Sequence, residues 1–239
     1  MGSMKGWLLA IVVGTAPSVF LLSFFYLKDR YEREPLRHIL VAFGLGAYAM
    51  IAAHGMAAAL ADRISAEWLA LGGAPARLFD AFVLSGLVEE CAKWVVVMAA
   101  VYHWDEFDEP LDGVVYGVAV SLGFATVENI LYLVGRGLGV ALGRALFAVP
   151  AHALFGGTMG YYAGRAKFDS AAARIGAVRR DHLLCLLLPV AFHGTYNYAL
   201  HHRLEARVWI AVTAISVALW IFVLRRVRRA QRASPFRPR

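Results

Sequence analysis

The chain has 239 residues, of which 60% are hydrophobic and only 17% charged, and its mean hydropathy is +0.58. Because soluble domains have about 25% charged residues, this composition excludes an ordinary soluble protein. The net charge of +7 would suit nucleic-acid binding, but the cations cluster in short segments between apolar stretches, which is typical of membrane topology signals. Both cysteines lie inside apolar stretches, so neither a disulfide framework nor a thiolate metal site is expected.

Apolar stretches of membrane-spanning length follow one another along the chain. A spanning helix needs about 20 apolar residues, and the absence of dyad alternation favours helices over a barrel. The sequence therefore predicts an all-α, polytopic transmembrane helix bundle that forms one membrane-embedded domain over residues 1–239, with residues 1–3 a cloning remnant and 226–239 a basic cytoplasmic tail. About seven spans are predicted, at residues 7–27, 38–61, 80–102, 113–134, 143–164, 183–200 and 208–225.

The distribution of Lys and Arg predicts the orientation. Sixteen of the 24 basic residues fall in the segments 28–37, 165–182 and 225–239, which lie on one side of the membrane if there are seven spans. Since cytoplasmic loops carry the excess of Lys and Arg, we expect the N-terminus outside and the C-terminus in the cytoplasm. The expected location is a membrane, in contact with lipid and with no nucleic-acid partner.

Ionisable side chains occur at membrane depth in four of the predicted spans. A charge at the centre of a span costs about 2.5–3.5 kcal/mol, so such residues face protein or water and mark functional sites. At 1.5 Å per residue, the acids and histidines lie about 9–14 Å from the outer ends of their spans, a common depth in the outer half of the bilayer. The residues are Glu89, Glu90, Lys93, Glu128, Asn129, His152, His193 and Asn197.

The spacing of these residues indicates hydrolytic chemistry. Glu89 and Lys93 are four apart, which allows an ion pair, while Glu90 is rotated about 100° and can face a shared cavity. A carboxylate next to a second carboxylate and away from water suits a general acid or base. Two histidines and a carboxylate are also the ligands of a hydrolytic zinc site, although the sequence has no His-Glu-x-x-His motif. Water activation with zinc and without zinc both remain open.

A structural role is the alternative for each of these polar residues within the spans. Glu128 with Asn129 could form a helix–helix hydrogen bond, and His152 could serve close packing beside small residues. We expect the glycines in the spans to serve tight helix packing. Cys91 is not expected to be a nucleophile, since its apolar and acidic surroundings disfavour the thiolate. A proton-coupled transporter or channel is the alternative function, because buried carboxylates and histidines also form proton relays.

In order along the chain, these residues resemble the four motifs of the PrsW family of intramembrane proteases, which is related to the CAAX-protease-like or Abi superfamily. The motifs are Glu89-Glu90-x-x-Lys93, Phe124-x-x-x-Glu128-Asn129, His152-Ala153 with Gly156, and His193-x-x-x-Asn197. Tyr26-x-Lys28-Asp29 with Glu34-Pro35, and Asp112-Gly113-x-x-Tyr116-Gly117, are similar to the family as well. The likeness extends from about Pro17 to about Arg226.

The resemblance implies an intramembrane endopeptidase of the bacterial plasma membrane that cuts a single-span substrate, an anti-sigma factor, on its extracytoplasmic side. It implies Glu89, Glu90 and His193 as catalytic residues, with Lys93, Glu128, Asn129 and Asn197 in support. A zinc ion, if bound, would be held by His152, His193 and Glu128. Related superfamily members have His where Glu128 stands, and Asn197 is a weaker ligand than the Asp found in other members, so both differences bear on the metal. The oligomeric state is not predicted.

Overall fold

The structure is a computed structural model that describes residues 4–63, 73–168, 175–200 and 206–238, and it is all-helical. Seven helical segments follow in chain order. They are α1 (Met4–Tyr26), α2 (Leu36–Arg63), α3 (Gly73–Phe79, the π-helical Asp80–Leu87 and Val88–Ala99), α4 (Pro110–Arg136), α5 (Ala141–Gly143, the π-helical Arg144–Ala148 and Val149–Phe168), α6 (Ile175–Leu200) and α7 (Ala206–Arg232). The predicted all-α class is confirmed.

Six of these helical segments are long and apolar enough to cross a membrane, namely α1, α2, α4, α5, α6 and α7. The remaining helix, α3, covers the predicted span 80–102 but combines a π-helical turn with Asp80, Glu89, Glu90 and Lys93. Its continuous helical run from residue 73 to residue 99 is about 40 Å long, against a hydrocarbon core of about 30 Å. The structure thus describes six candidate spans and one helix whose charges lie within the bundle.

Helix α4 is the central helix of the bundle. All residues from Leu111 to Thr126 are buried, and 78% of its most apolar window lies inside the protein. On one side, α5 approaches so closely that a Cβ on Gly117 or Gly156 would collide with the carbonyl of the other. On the opposite side, a Cβ on Gly123 would collide with the backbone of Phe43 in α2. The prediction that these glycines serve tight helix packing is confirmed.

Two helices extend beyond the apolar stretches that predicted them. Helix α6 begins at Ile175 instead of residue 183, because its charged first turns are anchored by Asp181, whose carboxylate lies 3.1 Å from Arg165 Nη2 and 3.2 Å from Arg180 Nε. Helix α7 continues to Arg232, so much of the predicted tail 226–239 is helical. Val227 and Ala230 are buried at helical spacing, and Arg and Ala are good helix formers.

Three parts of the chain meet at one end of the bundle, which we call the Asp29 end: the α1–α2 link (27–35), the α3–α4 link (100–109) and the last turn of α7. Arg37 Nη2 lies 3.2 Å from Glu106 Oε1, and the Gln231 amide donates to the Lys28 carbonyl. The opposite end, where α4 finishes and α5 begins, is called the Glu128 end. The two acidic residues of α4, Asp112 and Glu128, lie towards opposite ends of the helix.

Candidate active site

Glu90 lies at the centre of a buried polar network. It is located in the first turn that follows the π-helical part of α3, and its side chain is fully buried. Its Oε1 atom accepts a hydrogen bond from Lys93 Nζ at 2.7 Å and lies 2.8 Å from His193 Nδ1 in α6. Sequence spacing predicted that Lys93 pairs with Glu89, but in the structure Lys93 pairs with Glu90, three residues away.

Lys93 links α3 to α5 in addition to holding Glu90. Its Nζ atom lies 3.0 Å from His152 Nδ1 and 4.3 Å from the centre of the Phe124 ring. Only 1% of the Lys93 side chain is exposed, so its ammonium is stabilised by a carboxylate, an imidazole and a ring face instead of water. Helices α3, α4, α5 and α6 each contribute to this network.

Glu89 and Glu128 are the acids that reach open space. Both line a cavity of about 340 Å³ between α2 and α4, and their side chains retain 20% and 15% exposure. Met50, Ala53, His54 and Ala57 line it from α2, and Phe124, Glu128, Leu131, Tyr132, Gly135 and Arg136 line it from α4. The cavity is amphipathic, since two carboxylates face mainly apolar walls.

The Glu128 carboxylate lies between an imidazole and a guanidinium. Its Oε2 atom is 2.9 Å from His152 Nε2 and 3.1 Å from Arg144 Nη2, so both groups are in direct contact with the carboxylate. Arg144 Nε donates to Asn129 Oδ1 at 2.8 Å, and Asn129 Nδ2 donates to the Gly14 carbonyl at 2.9 Å. Asn129 therefore positions Arg144 against α1 and α4, and it does not reach the cavity.

Local packing brings the histidines to the acids. A Cβ on Gly86 would lie 3.2 Å from the Val190 carbonyl and 3.3 Å from the Gly194 nitrogen, so α3 and α6 touch next to Glu90 and His193. The Ser121 hydroxyl donates to the His152 carbonyl at 2.6 Å, and the Phe155 ring stacks on His193 at 5.0 Å between centroids. Since π-helical turns often mark functional sites, the π turn before Glu89 fits this placement.

Three side chains can hold a metal ion. Three ligand atoms, one from each of Glu89, His152 and His193, lie within 4.8 Å of one another. Two imidazoles and a carboxylate are the donor set of many catalytic zinc sites. The contact of His193 Nδ1 with Glu90 leaves Nε2 for the ion, and a carboxylate behind a ligating histidine is a common supporting interaction. The residues therefore fit a zinc ion. Glu128, predicted as the carboxylate ligand, lies outside this group of three but adjacent to His152, and its role as a ligand stays a prediction.

Most of the predicted site residues come together. Glu89, Glu90, Lys93, Glu128, His152 and His193 form one network that spans four helices. Asn197 lies one turn after His193 and is half-buried, outside the ion pairs of the described residues. Sequence reasoning missed Arg144, because it was counted as a loop cation, and it missed His54, because α2 carries no acidic residue near it. The position of Arg144 eight residues before His152, within an apolar stretch, was the available signal.

Comparison with known proteins identifies the family. The sequence profile of the PrsW family intramembrane metalloproteases matches residues 34–225. Protease PrsW of Bacillus subtilis is 40% identical to this chain over 222 residues, which are 92% of this chain and 95% of the relative. Protease PrsW of Geobacillus kaustophilus is 43% identical over 222 residues, which are 92% of this chain and 92% of the relative. Protease PrsW of Clostridioides difficile is 32% identical over 198 residues, which are 81% of this chain and 79% of the relative. No solved structure matches the chain. With both matches covering most of its length and all of the acids and histidines described above, the chain belongs to the PrsW family of intramembrane metalloproteases.

Proposed function

We propose that this protease cuts a single-span membrane protein near its extracytoplasmic face, and that Glu89 and Glu128 supply the carboxylates for the reaction. The observation that carries the proposal is that these two acids line one amphipathic cavity and are each in contact with a buried histidine behind it, Glu128 with His152 at 2.9 Å and Glu89 with His193 at 3.8 Å. Apolar walls accept a transmembrane segment, and polar groups at one point of the cavity can bind water and a peptide carbonyl. A bacterial anti-sigma factor is the substrate that the resemblance implies.

We assign different tasks to the four carboxylate and imidazole groups. His152, His193 and Glu89 would hold the metal, because their ligand atoms are close together. Bound there, zinc would lower the pKa of its water and polarise the peptide carbonyl. Glu128 lines the same cavity and retains 15% side-chain exposure, so it can accept the proton of the attacking water and pass it to the leaving amine.

The buried residues position this machinery. Glu90 accepts from Lys93 and contacts His193 Nδ1, which orients the His193 ring so that Nε2 faces Glu89 at 3.8 Å. Arg144 lies next to Glu128 and Tyr132, with its guanidinium 3.9 Å from the centre of the Tyr132 ring, and holds that side of the cavity in place. Positioned groups of this kind contribute by reducing the reorganisation needed during the reaction.

Substitution of each acid by its amide tests these assignments. Glu89→Gln and Glu128→Gln should each reduce cleavage of a single-span substrate in proteoliposomes by at least about 100-fold, because general acid–base groups contribute about 10²–10⁴-fold. Glu89→Gln should also lose the bound zinc, measured by elemental analysis, whereas Glu128→Gln should retain it. Glu106→Gln, an acid at the Asp29 end, should cleave at the parent rate.

Each outcome has a defined meaning. Loss of zinc in Glu128→Gln but not in Glu89→Gln would exchange the roles of the two acids. Active protein that contains no zinc and resists chelation would exclude the metal chemistry. The proposed site as a whole would be contradicted if each of three single variants cleaved at the parent rate: Glu89→Gln, Glu128→Gln and His193→Ala.

A further inference from the structure

A second group of buried carboxylates lies at the Asp29 end, separate from the candidate active site. Asp29 and Glu34 come from the α1–α2 link, and Glu109 and Asp112 from the start of α4, and all four side chains are fully buried. Asp112 and Glu128 are 16 residues apart on α4, which corresponds to about 24 Å along the helix axis. None of these four acids takes part in the proposed hydrolysis.

One oxygen each from Asp29, Glu109 and Asp112 lie within 4.8 Å of one another. Oxygens on opposite sides of a bound ion are about 4.2 Å apart for Mg²⁺ and about 4.9 Å apart for Ca²⁺, so this spacing suits a hard divalent cation. Carboxylates from three points of the chain would then share one ion, which is the coordination that Mg²⁺, Mn²⁺ and Ca²⁺ prefer.

Asp29 provides a second, independent observation. Among the described residues, neither of its two carboxylate oxygens makes a hydrogen bond of normal geometry, although its side chain is fully buried and close to Glu109 and Asp112. The backbone N–H groups of Tyr31 and Glu32 lie near the carboxylate but are misaligned with it. Burying a carboxylate without a partner costs several kcal/mol, so a group in this position normally has a bound proton or a cation. Glu34 Oε1 and Asp112 Oδ1 have no donor group from another residue type, and the two carboxyl groups lie within hydrogen-bonding reach of each other.

The neighbouring donors satisfy only some of the carboxylate oxygens of this group. Asp112 Oδ2 accepts the backbone N–H groups of Asp108 at 2.9 Å and Glu109 at 2.7 Å, which caps α4, while no N–H group reaches Oδ1. The Tyr116 hydroxyl donates to Glu34 Oε2. Arg33 Nε donates to the Asp29 backbone carbonyl instead of its carboxylate.

Lys167 is a neighbouring ammonium that is shared among several acids. Asp105 and Asp108 act on it by charge as well as Asp112 and Glu34, and its Nζ atom donates to the carbonyls of Tyr102 and Trp104.

We infer that Asp29, Glu109 and Asp112 bind one hard divalent cation, with Glu34 as a neighbouring acid that strengthens the site. The ion would connect the α1–α2 link to the start of α4, next to the last turn of α7, and it would stabilise this end of the bundle. This inference does not rest on the proposed protease chemistry.

Thermal unfolding of the full-length protein in detergent micelles tests the site. After treatment with a chelator, millimolar MgCl₂, CaCl₂ or MnCl₂ should raise the Tm by at least about 3 °C relative to NaCl of equal ionic strength, because a ligand that binds only the folded state stabilises it. Asp29→Asn should remove this shift, while its Tm in chelator should equal or exceed that of the parent, since the uncompensated charge is gone.

Two controls separate this site from other effects. Asp181→Asn changes a buried acid that is already paired with Arg165 and Arg180, so it should keep the cation response even if its Tm falls. His193→Ala should also keep the response, which excludes the candidate active site as the source. Glu109→Gln offers a second ligand variant if Asp29→Asn does not accumulate in the membrane.

Counting bound Mn²⁺ by electron paramagnetic resonance gives a direct measurement. The parent should bind one Mn²⁺ more than Asp29→Asn or Glu109→Gln. The inference would be overturned if none of the three cations raised the Tm of the parent. It would also be overturned if the cations raised the Tm of Asp29→Asn as much as that of the parent.

Discussion

Glu89 and Glu90 are neighbours of the same residue type, yet their surroundings give them different tasks. Glu90 is fully buried and receives a hydrogen bond from Lys93, whereas Glu89 retains 20% side-chain exposure at the cavity. A buried, paired carboxylate keeps its position and charge, and a cavity-lining one can meet substrate and water. Positioning is therefore assigned to Glu90, and contact with the reacting groups is proposed for Glu89.

Removal of Lys93 tests this view of Glu90. Lys93→Met would leave the Glu90 charge buried with only His193 beside it, and breaking one partner of a buried ion pair costs about 3–5 kcal/mol. We expect a decrease of that order in the free energy of unfolding, measured by reversible denaturation in mixed micelles. Glu90→Gln added to Lys93→Met should recover part of the loss, because the uncompensated charge is then absent.

The exposed pair of Arg37 and Glu106 is the matched control. Arg37 has 75% side-chain exposure, and such pairs contribute about 0–1 kcal/mol. Arg37→Met should therefore change the free energy of unfolding by less than about 1 kcal/mol. A loss for Lys93→Met as small as that for Arg37→Met would contradict the structural role of the Glu90–Lys93 pair.

At the level of helices, close approach of α4 and α5 holds Glu128 and His152 together. A Cβ on Gly156 would collide with the Gly117 carbonyl and with Ser121 Cβ, one turn from His152. Gly156→Ala should reduce the free energy of unfolding by about 1–3 kcal/mol through overpacking, and it should lower proteolysis in proteoliposomes. Gly44 in α2 has open space around it, so Gly44→Ala should leave both quantities unchanged or improve stability. Equal behaviour of the two variants would contradict the packing argument.

The links at the Asp29 end predict a pH dependence of stability. The pKa of Asp29 is raised from 3.8 to about 7, mainly by burial and in addition by the charges of Glu109 and Glu32. Burial also raises the pKa of Glu34, from 4.5 to about 7. The backbone N–H groups of Tyr31 and Glu32 lower the pKa of Asp29, but by less than burial raises it. The Tyr116 hydroxyl likewise lowers the pKa of Glu34 by less than burial raises it.

The sign of the effect follows from proton binding. Between about pH 4 and pH 7 the folded state binds more protons at these acids than the unfolded state does, so stability falls as the pH rises towards 7. In the presence of a chelator, we expect the Tm of the parent to decrease from about pH 5 to about pH 8. Asp29→Asn should show a smaller decrease in the same buffers. An identical slope in both proteins would show that Asp29 does not titrate differently on folding.

For the whole molecule, composition and periodicity were enough to predict the helical class, the membrane location and the meeting of Glu89, Glu90, His152 and His193 from three helices. Membership of a metalloprotease family confirms the protease prediction over a transporter. The pairing of Lys93 could not be predicted, because positions three and four apart on a helix both bring side chains together and contacts from other helices decide between them. The contact of Arg144 with Glu128 depends on how α5 begins, which hydropathy does not describe.

The orientation of the bundle connects both proposals, because it decides which site faces which compartment. Segments rich in Lys and Arg gather at the Asp29 end, so we expect this end in the cytoplasm, with its supply of Mg²⁺, and the Glu128 end outside. Cysteines at exposed positions can test this after the native Cys91 and Cys185 are replaced by Ala: Gly139→Cys lies between α4 and α5, and Arg237→Cys follows α7. A membrane-impermeant maleimide applied to intact cells should label Gly139→Cys, and it should label Arg237→Cys only after permeabilisation. The reverse pattern would place the cavity on the cytoplasmic side and exclude cleavage near the extracytoplasmic face.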